Sequence, residues 1–361
     1  MKVLDIGLPI AALAAALLLF GGFVWLSGAS PIETWTILFK GAFGDWFSWQ
    51  NTLQRAAPLM LTALCVALPA RAGLIIIGGE GAVVLGGLAA AALPYALPLP
   101  GNVVGSTMVC LAGMVVGAAW IAIAGALRQY RGVNETISSL LLAYTAIALF
   151  KQLVEGPLRD PTTLNKPSTR SLVEALQIGG IAGSDVHWGL VLGVVACLGL
   201  GLWLALTSSG FSVRVVGGNL RAAQLVGLPA NRLILVTCAI GGAAAGLAGA
   251  VEVAAVHTNA NASLIAGYGY AGILVAFIAR QNPFAIIPVA ILFGGFGAAG
   301  SLLQRRLGLP DASVQVLQGI AFVLILASES LRSVDWSAVV KKLRQRATPE
   351  PAPLAVEQST A

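Results

Sequence analysis

Residues 81–127 read GAVVLGGLAAAALPYALPLPGNVVGSTMVCLAGMVVGAAWIAIAGAL, and none of them is charged. About 20 apolar helical residues cross a hydrocarbon core roughly 30 Å thick, so this stretch is long enough for two crossings. Uncharged stretches of crossing length recur along the chain, at residues 6–32, 188–213, 233–251, 253–279 and 281–304. The pattern predicts a protein that crosses a lipid bilayer many times.

The composition excludes a soluble fold of this size. Of 361 residues, 57% are hydrophobic and 10% are charged, and the mean hydropathy is +0.86. The runs are apolar on all sides, whereas strands of a membrane barrel alternate apolar and polar residues, so the predicted class is all-α. The 43 glycines suit close helix approach, as at the GxxxG spacings Gly189/Gly193 and Gly242/Gly246.

We expect a polytopic protein with about ten transmembrane helices. Most Lys and Arg residues fall on the side of the N-terminus, which predicts that both termini are cytoplasmic. The transmembrane domain is residues 1–331, with an external loop at about 155–186, and a basic then disordered cytoplasmic tail follows at 332–361. The helices are expected near 6–28, 52–71, 73–97, 103–127, 136–154, 187–208, 232–256, 268–280, 284–304 and 312–331.

Several kinds of chemistry are not supported by the sequence. The net charge of +6 comes from basic residues at the ends of apolar runs, with no motif that reads nucleic acid. The four cysteines show no CxxC spacing and the two histidines lie far apart, so no metal site is expected. No lysine follows a glycine, which excludes a Walker A motif. We therefore expect a non-enzymatic chain without a bound cofactor, and ATP hydrolysis would need a separate subunit.

A compact loop lies on the predicted inner face at residues 210–232, GFSVRVVGGNLRAAQLVGLPANR. Asn219 can cap a short helix, and Gly227 with Pro229 can end it. The segment is either an interfacial connector or a rigid projection that docks into a cytosolic partner, and its compactness with Arg221 exposed favours docking. The candidate docking residues are Gly218, Asn219, Arg221, Ala222, Ala223 and Gly227.

A glycine-rich segment at residues 72–87 surrounds Glu80. Broken helices expose backbone groups at transport pathways, and an ionisable residue at membrane depth is costly and usually functional. Alternatively, Glu80 lies at a membrane edge and caps a helix. Glu252, alone in its apolar stretch, is either a proton carrier or an acid that pairs locally.

The segment at residues 132–144, GVNETISSLLLAY, owes part of its polarity to a helix start at Asn134. Together with the glycine-rich segment and a broken turn near residues 267–272, it predicts a substrate pathway. The candidate pathway residues are Gly78, Glu80, Gly81, Gly86, Asn134, Ser139, Tyr144, Tyr268 and Tyr270.

Four stretches, in this order, resemble the permease subunits of ABC importers in the branched-chain amino acid, ribose and nucleoside branch. The likeness spans roughly residues 56–331 and is greatest for the nucleoside or simple-sugar group. The stretches are GVNETISSLLLAYTA at 132–146, VEGPLRDP at 154–161, GFSVRVVGGNLRAAQLVGL at 210–228 and GYGYAGILVAFIARQNP at 267–283.

The resemblance implies an importer in the bacterial cytoplasmic (inner) membrane, in which the 210–232 loop holds the ATPase coupling helix. The implied partners are an ABC ATPase that uses ATP, a second permease subunit (a paralogue or a copy) and an external substrate-binding lipoprotein. The implied cargo is a small polar solute, a nucleoside or simple sugar. A secondary transporter driven by an ion gradient is the alternative, but it leaves the compact loop unexplained and leads one to expect more paired intramembrane charge.

The chain departs from the family pattern at three positions. Where the nucleoside group reads close to GLFNIGAEGQ, this chain reads GLIIIGGEGA with Ile76 and Ala82, and Ala143 in LLAY replaces an asparagine. Fewer polar groups weaken discrimination for a polar ligand. We therefore expect weak selection in the permease and strong selection in the external protein.

Overall fold

The computed structural model describes residues 2–163, 165–310 and 312–332, so the predicted tail from residue 333 lies outside the described residues. No β-strand occurs in the described part, which is built of helices joined by short connections and one long loop. The helices are α1 (Lys2–Leu26), α2 (Pro31–Phe43), α3 (Trp46–Arg71), α4 (Gly79–Ala96), α5 (Val103–Arg131), α6 (Glu135–Glu155), α7 (Gly189–Leu206), α8 (Ser208–Gly218), α9 (Leu220–Leu225), α10 (Ala230–Val251), α11 (Tyr268–Ile278), α12 (Pro283–Leu307) and α13 (Ala312–Arg332).

Helix starts and ends follow capping chemistry. The Asn134 side chain accepts hydrogen bonds from the backbone N–H groups of Thr136 and Ile137, which confirms the predicted start of α6. Asn102 caps α5 in the same way, and Gly132 ends α5 with a left-handed backbone (φ 67°) that favours glycine. The turn between α5 and α6 is therefore fixed by the backbone of Gly132 at one end and by the side chain of Asn134 at the other.

Seven of the described helices are long and apolar enough to cross a membrane. The pair α1 and α2 is bent by 119° and counts as an eighth span if taken together. Two apolar segments are shorter: Ala262–Ile278, which ends with α11, and Ala312–Ser328, within α13. The all-α class is thus confirmed, and each expected segment contains a helix. The predicted ten crossings and the predicted orientation of the termini are not confirmed. The seven long spans are Trp46–Arg71, Gly79–Ala96, Val103–Arg131, Glu135–Glu155, Gly189–Leu206, Ala230–His257 and Pro283–Leu307.

Glycines bring α4, α5 and α10 into backbone contact at the centre of the bundle. A β-carbon added at Gly86 of α4 would lie 2.5 Å from the Cα of Gly246 on α10. One added at Gly117 of α5 would lie 2.7 Å from the same Cα. Real β-carbons do not approach so closely. The close helix approach predicted from the GxxxG spacing at Gly242 and Gly246 is therefore present.

One end of the bundle gathers most of the arginines that flank helices. The Arg71 side chain at the end of α3 donates to the carbonyl oxygens of Gln281 (2.9 Å) and Arg280 (3.3 Å), which link α11 to α12. At the same end, Arg128 pairs with Glu135 at 3.3 Å. The connections between α3 and α4, α5 and α6, and α11 and α12 therefore share one face with the α8–α9 segment.

Candidate substrate cavity and coupling surface

A cavity of ≈ 540 Å³ lies between α3, α11, α12 and α13. Its volume falls in the range of pockets that hold small organic molecules. Most of its lining is apolar or glycine, including Phe293 and Phe322. The side chains that bring polar atoms to it are Arg55, Tyr268, Tyr270, Gln315 and Gln318.

Glu80 fixes the start of α11, at the edge of this cavity. The residue is completely buried, and its carboxylate accepts hydrogen bonds from the backbone N–H groups of Gly267 (2.9 Å) and Gly269 (2.6 Å). Gly267 has a left-handed backbone (φ 80°) and lines the cavity. A carboxylate at a helix N-terminus satisfies free N–H groups and faces the positive end of the helix dipole. Glu80 thus fixes the position at which the preceding loop ends and α11 begins.

The first turns of α6 stabilise the non-helical segment that connects α3 to α4. The Ser139 hydroxyl accepts from the backbone N–H of Ile77 (3.1 Å), and the Thr136 hydroxyl donates to the carbonyl oxygen of Ile75 (3.0 Å). Asn134 is the cap of α6. The polar residues of the 132–144 segment therefore satisfy the backbone of the break, and Gly78 lies directly against Ser139.

The remaining predicted pathway residues are divided between the cavity and the surrounding surfaces. Tyr268 and Tyr270 line the cavity. Gly81 and Gly86 lie in helix contacts instead, since a β-carbon at Gly81 would be 2.9 Å from the Cα of Ala143 on α6. The side chain of Tyr144 is 59% exposed, one helical turn from the cavity-lining Leu140, and it interacts electrostatically with Tyr270. The structure therefore brings the two α11 tyrosines to one site, with Glu80 behind them and Tyr144 near Tyr270.

The three positions that depart from the family pattern are also away from the cavity. Ile76, Ala82 and Ala143 are all completely buried, and none is among the cavity-lining residues. Their apolar side chains fill the contact between α4 and its neighbours. The expectation that they strip polar groups from the pathway does not apply to this cavity.

The sequence interpretation missed three polar residues of the lining: Arg55, Gln315 and Gln318. Arg55 lies near the start of an apolar stretch, where an arginine usually marks a membrane edge. Gln315 and Gln318 are three residues apart, a spacing that places both on one face of a helix. That spacing within an otherwise apolar helix is the signal that could have found them.

Glu252 has a local partner. It is buried, and its Oε2 lies 3.5 Å from Nε2 of His257, at the other end of a π-helical turn, Glu252–His257. This geometry favours the interpretation of Glu252 as a locally paired acid over that of a lone proton carrier.

The predicted docking projection is a short helix, α9, carried by α8. The Asn219 side chain accepts from the backbone N–H of Ala222 (3.0 Å), and Gly227 follows α9 with φ 79°, as expected for a left-handed terminator. Leu225 and Val226 are 88% and 72% exposed. Arg221 and Ala222 are exposed, as are Gly218 and Asn219, whereas Ala223 is buried. The projection presents a mixed apolar and basic surface.

The long loop at residues 156–188 is folded onto the opposite end of the bundle. Thr169 exchanges backbone and side-chain hydrogen bonds with Ala260, and the N–H of Ile178 donates to the carbonyl oxygen of Ala254. Within the loop, the backbone N–H and hydroxyl of Thr162 donate to Asp160 and lower the pKa of its carboxyl. The loop is thus tied to the segment that leads from α10 to the cavity.

Among the described residues, no group of three or more His, Cys, Asp or Glu side chains could hold a metal ion. The four cysteines are free thiols, and three of them are buried. They occupy positions in helix packing, where cysteine behaves as a small apolar residue.

These features define a multi-pass helical membrane protein with a cavity for a small molecule and a rigid projection on its basic face. The chain belongs to the family described as the permease component of the branched-chain amino acid transport system, which it matches over residues 48–326.

Curated relatives extend this assignment. The glucose ABC transporter permease protein TsgB13 of Haloferax volcanii is 31% identical over 334 residues, covering 90% of this chain and 87% of that protein. The guanosine ABC transporter permease protein NupP of Bacillus subtilis is 25% identical, covering 90% and 94%. The nucleoside ABC transporter permease protein NupB of Lactococcus lactis is 26% identical, covering 94% and 97%. The chain is a permease subunit of an ABC importer.

Proposed function

We propose that this permease moves a nucleoside or a simple sugar inward across the bacterial cytoplasmic membrane, after delivery by an external binding lipoprotein. The observation that carries the proposal is the cavity lined by Arg55, Tyr270 and Gln318 next to the helix start that Glu80 caps. Polar side chains set among apolar and aromatic ones suit a small solute with hydrogen-bonding groups and a flat or apolar face. The substrates named for the relatives, glucose and nucleosides, have this character.

The energy for transport comes from a separate ABC ATPase that docks on α9. The exposed surface of this helix is formed or flanked by Gly218, Asn219, Arg221, Ala222 and Gly227. Ala223 is buried and packs the helix against the protein. A second permease subunit, either a paralogue or a second copy, completes the transporter. The chain itself binds no cofactor and catalyses no reaction.

In this arrangement the basic face that carries α9 is cytoplasmic, as the distribution of Lys and Arg indicates. Both termini then lie inside. The ten crossings that we propose are the seven long spans, the bent pair of α1 and α2, and one crossing each for α11 and α13. The loop at residues 156–188 faces the external binding protein.

Reconstitution tests the proposal directly. The permease is placed in proteoliposomes alone, or with the ATPase, second permease and binding lipoprotein sought among the products of its neighbouring genes. Uptake of labelled guanosine and glucose is then measured with ATP inside or with an imposed ion gradient. We expect uptake only from the complete assembly with ATP. Uptake by this chain alone, driven by a gradient without ATP, would show an ion-coupled transporter instead.

A further inference from the structure

Arg55 is a cation near one end of a membrane-spanning helix, α3, and no direct protein partner of its guanidinium is found among the described residues. It is the tenth residue of α3, which places it about 14 Å along the helix from Trp46. Its side chain is exposed, and it lines the cavity. Within the described residues, the guanidinium has no ion pair and no hydrogen bond to the protein. The neighbouring Gln54 donates to the backbone of Asp185 in the long loop, so Arg55 lies toward that end of the bundle, where the cavity can receive a solute.

One carboxylate acts on Arg55 electrostatically: that of Glu252, which is buried and lies outside the lining. No Asp or Glu is among the residues that line the cavity. An arginine offers five N–H donors and no acceptor, whereas the amides of Gln315 and Gln318 offer both, so the excess of donors in the lining comes from Arg55. The arginine stem lies along α12 at Gly297, where a β-carbon would be in ordinary contact with the Cδ of Arg55 at 3.6 Å. The cavity is therefore suited to a solute that brings hydrogen-bond acceptors to Arg55.

Aromatic rings form other parts of the same lining. Tyr268 and Tyr270 contribute from α11, and Phe322 contributes from α13. Rings of this kind stack against flat heterocycles, whereas a hexose offers no flat aromatic face. Donors on one side and rings on another match a heterocycle with an acceptor edge.

We propose, on the basis of the transport function proposed above, that Arg55 is a specificity-determining residue that recognises the acceptor edge of a 6-oxopurine nucleoside. The planar fork of arginine can donate two parallel hydrogen bonds to an oxo group and the neighbouring ring nitrogen of such a base. A 6-aminopurine presents a donor in place of the oxo acceptor, and the guanidinium cannot accept from it. Selection by the permease is then weak in affinity but directed toward one pattern of hydrogen bonding.

The experiment measures equilibrium binding of labelled inosine, adenosine and glucose to the purified permease–ATPase complex in nanodiscs, without the external binding protein. We expect inosine to have the lowest Kd. Arg55→Met should raise the Kd of inosine by about 5- to 100-fold and change that of adenosine little, so that the preference disappears. Arg55→Lys keeps the charge but loses the fork, and it should give an intermediate preference. Arg305→Met, at the exposed end of α12, is the matched control and should leave all three values unchanged.

Two results would overturn the inference: equal Kd values for inosine and adenosine in the unaltered complex, or an unchanged ratio of the two in Arg55→Met. If Arg55→Met fails to assemble, an unchanged ratio in Arg55→Lys overturns it equally. The proposed transport function fails by a different result, the absence of ATP-driven uptake of any nucleoside or sugar by the complete transporter. The two failures are therefore distinguishable.

Discussion

Glu80 and Gly269 are 189 positions apart in sequence, yet a carboxylate oxygen of Glu80 accepts the backbone N–H of Gly269 at 2.6 Å. The other carboxylate oxygen accepts from Gly267 at 2.9 Å. One buried side chain thus connects the start of α4 to the start of α11. Gly269 has no side chain to separate the two backbones, and an added β-carbon would collide with the backbone of Glu80.

Because Glu80 acts through these hydrogen bonds, Glu80→Gln should keep substantial ATP-driven uptake. The glutamine oxygen can still accept one of the two N–H groups, while its NH2 group faces the other, so some stability is lost but no proton transfer. Glu80→Ala leaves both N–H groups buried without a partner, at a cost of about 1–3 kcal/mol each. The measurement is uptake by reconstituted transporter between pH 6 and pH 8, with thermal stability as the second reading.

We expect little pH dependence for Glu80→Gln and a clear loss of stability for Glu80→Ala. Abolished uptake in a normally assembled Glu80→Gln transporter would show instead that the negative charge is essential, and it would favour ion coupling.

Replacing Gly227 with Val should uncouple transport from ATP hydrolysis. The backbone at Gly227 has φ 79°, and a residue with a β-carbon pays about 1–2 kcal/mol in the left-handed region, more when it is β-branched. The end of α9 should then shift, so that substrate-stimulated ATPase activity falls while membrane insertion persists.

Two variants control this experiment. Gly227→Asn should retain most coupling, since asparagine tolerates left-handed backbone. Gly199→Val, at an open position on α7 with nothing within 4 Å of an added β-carbon, should behave as the unaltered protein. Unchanged coupling in Gly227→Val would remove the case for α9 as the coupling helix.

Bulky substitution at Gly86 should prevent folding and not obstruct a pathway. The β-carbon of any replacement would lie 2.5 Å from the Cα of Gly246, and overpacking of this kind costs about 1–3 kcal/mol or more. Gly86→Leu should therefore reduce the yield of monodisperse protein and its melting temperature. Gly22→Leu, where nothing lies within 4 Å, is the control. A Gly86→Leu protein of normal stability that fails only in uptake would place Gly86 on the pathway after all.

Thr169 offers a test of the long loop. Its hydroxyl accepts the backbone N–H of Ala260 at 2.9 Å, and the residue is 1% exposed. Thr169→Val keeps the shape and leaves this N–H without its partner, for which we expect a loss of about 1–3 kcal/mol and faster hydrogen exchange at residues 258–261. Thr145→Val, which removes only a hydroxyl bonded within an exposed helical turn, should have no such effect. Equal exchange in the two variants would contradict the prediction.

The sequence predicted the helices well because long apolar stretches bounded by glycine, proline and capping residues leave few alternatives. Asn134, Asn219 and Gly227 were all identified with the local conformations that the structure has. The number of crossings was not settled in the same way. A short helix such as α11, with 11 residues, is apolar enough to cross a bilayer but too short to do so alone. Composition therefore does not decide whether such a helix crosses.

The cavity was predictable only in part. Tyr268 and Tyr270 follow from the broken turn that precedes α11, but Arg55 and Gln318 join them through packing between helices far apart in sequence. The role of each glycine could not be predicted from the sequence, for a physical reason. A missing side chain exposes backbone to a ligand or to another helix, and the sequence around Gly81 and Gly86 does not distinguish the two.

The glycine contacts among α4, α5 and α10 have a mechanical consequence. Where backbones touch, as at Gly86, Gly117 and Gly246, no layer of side chains is left that could slide or change rotamer. Packed interfaces of this kind resist continuous deformation. We therefore expect these three helices to travel as one rigid body during a transport cycle. The hinge then falls outside them, at the left-handed residues Arg280 and Gln281 that follow α11.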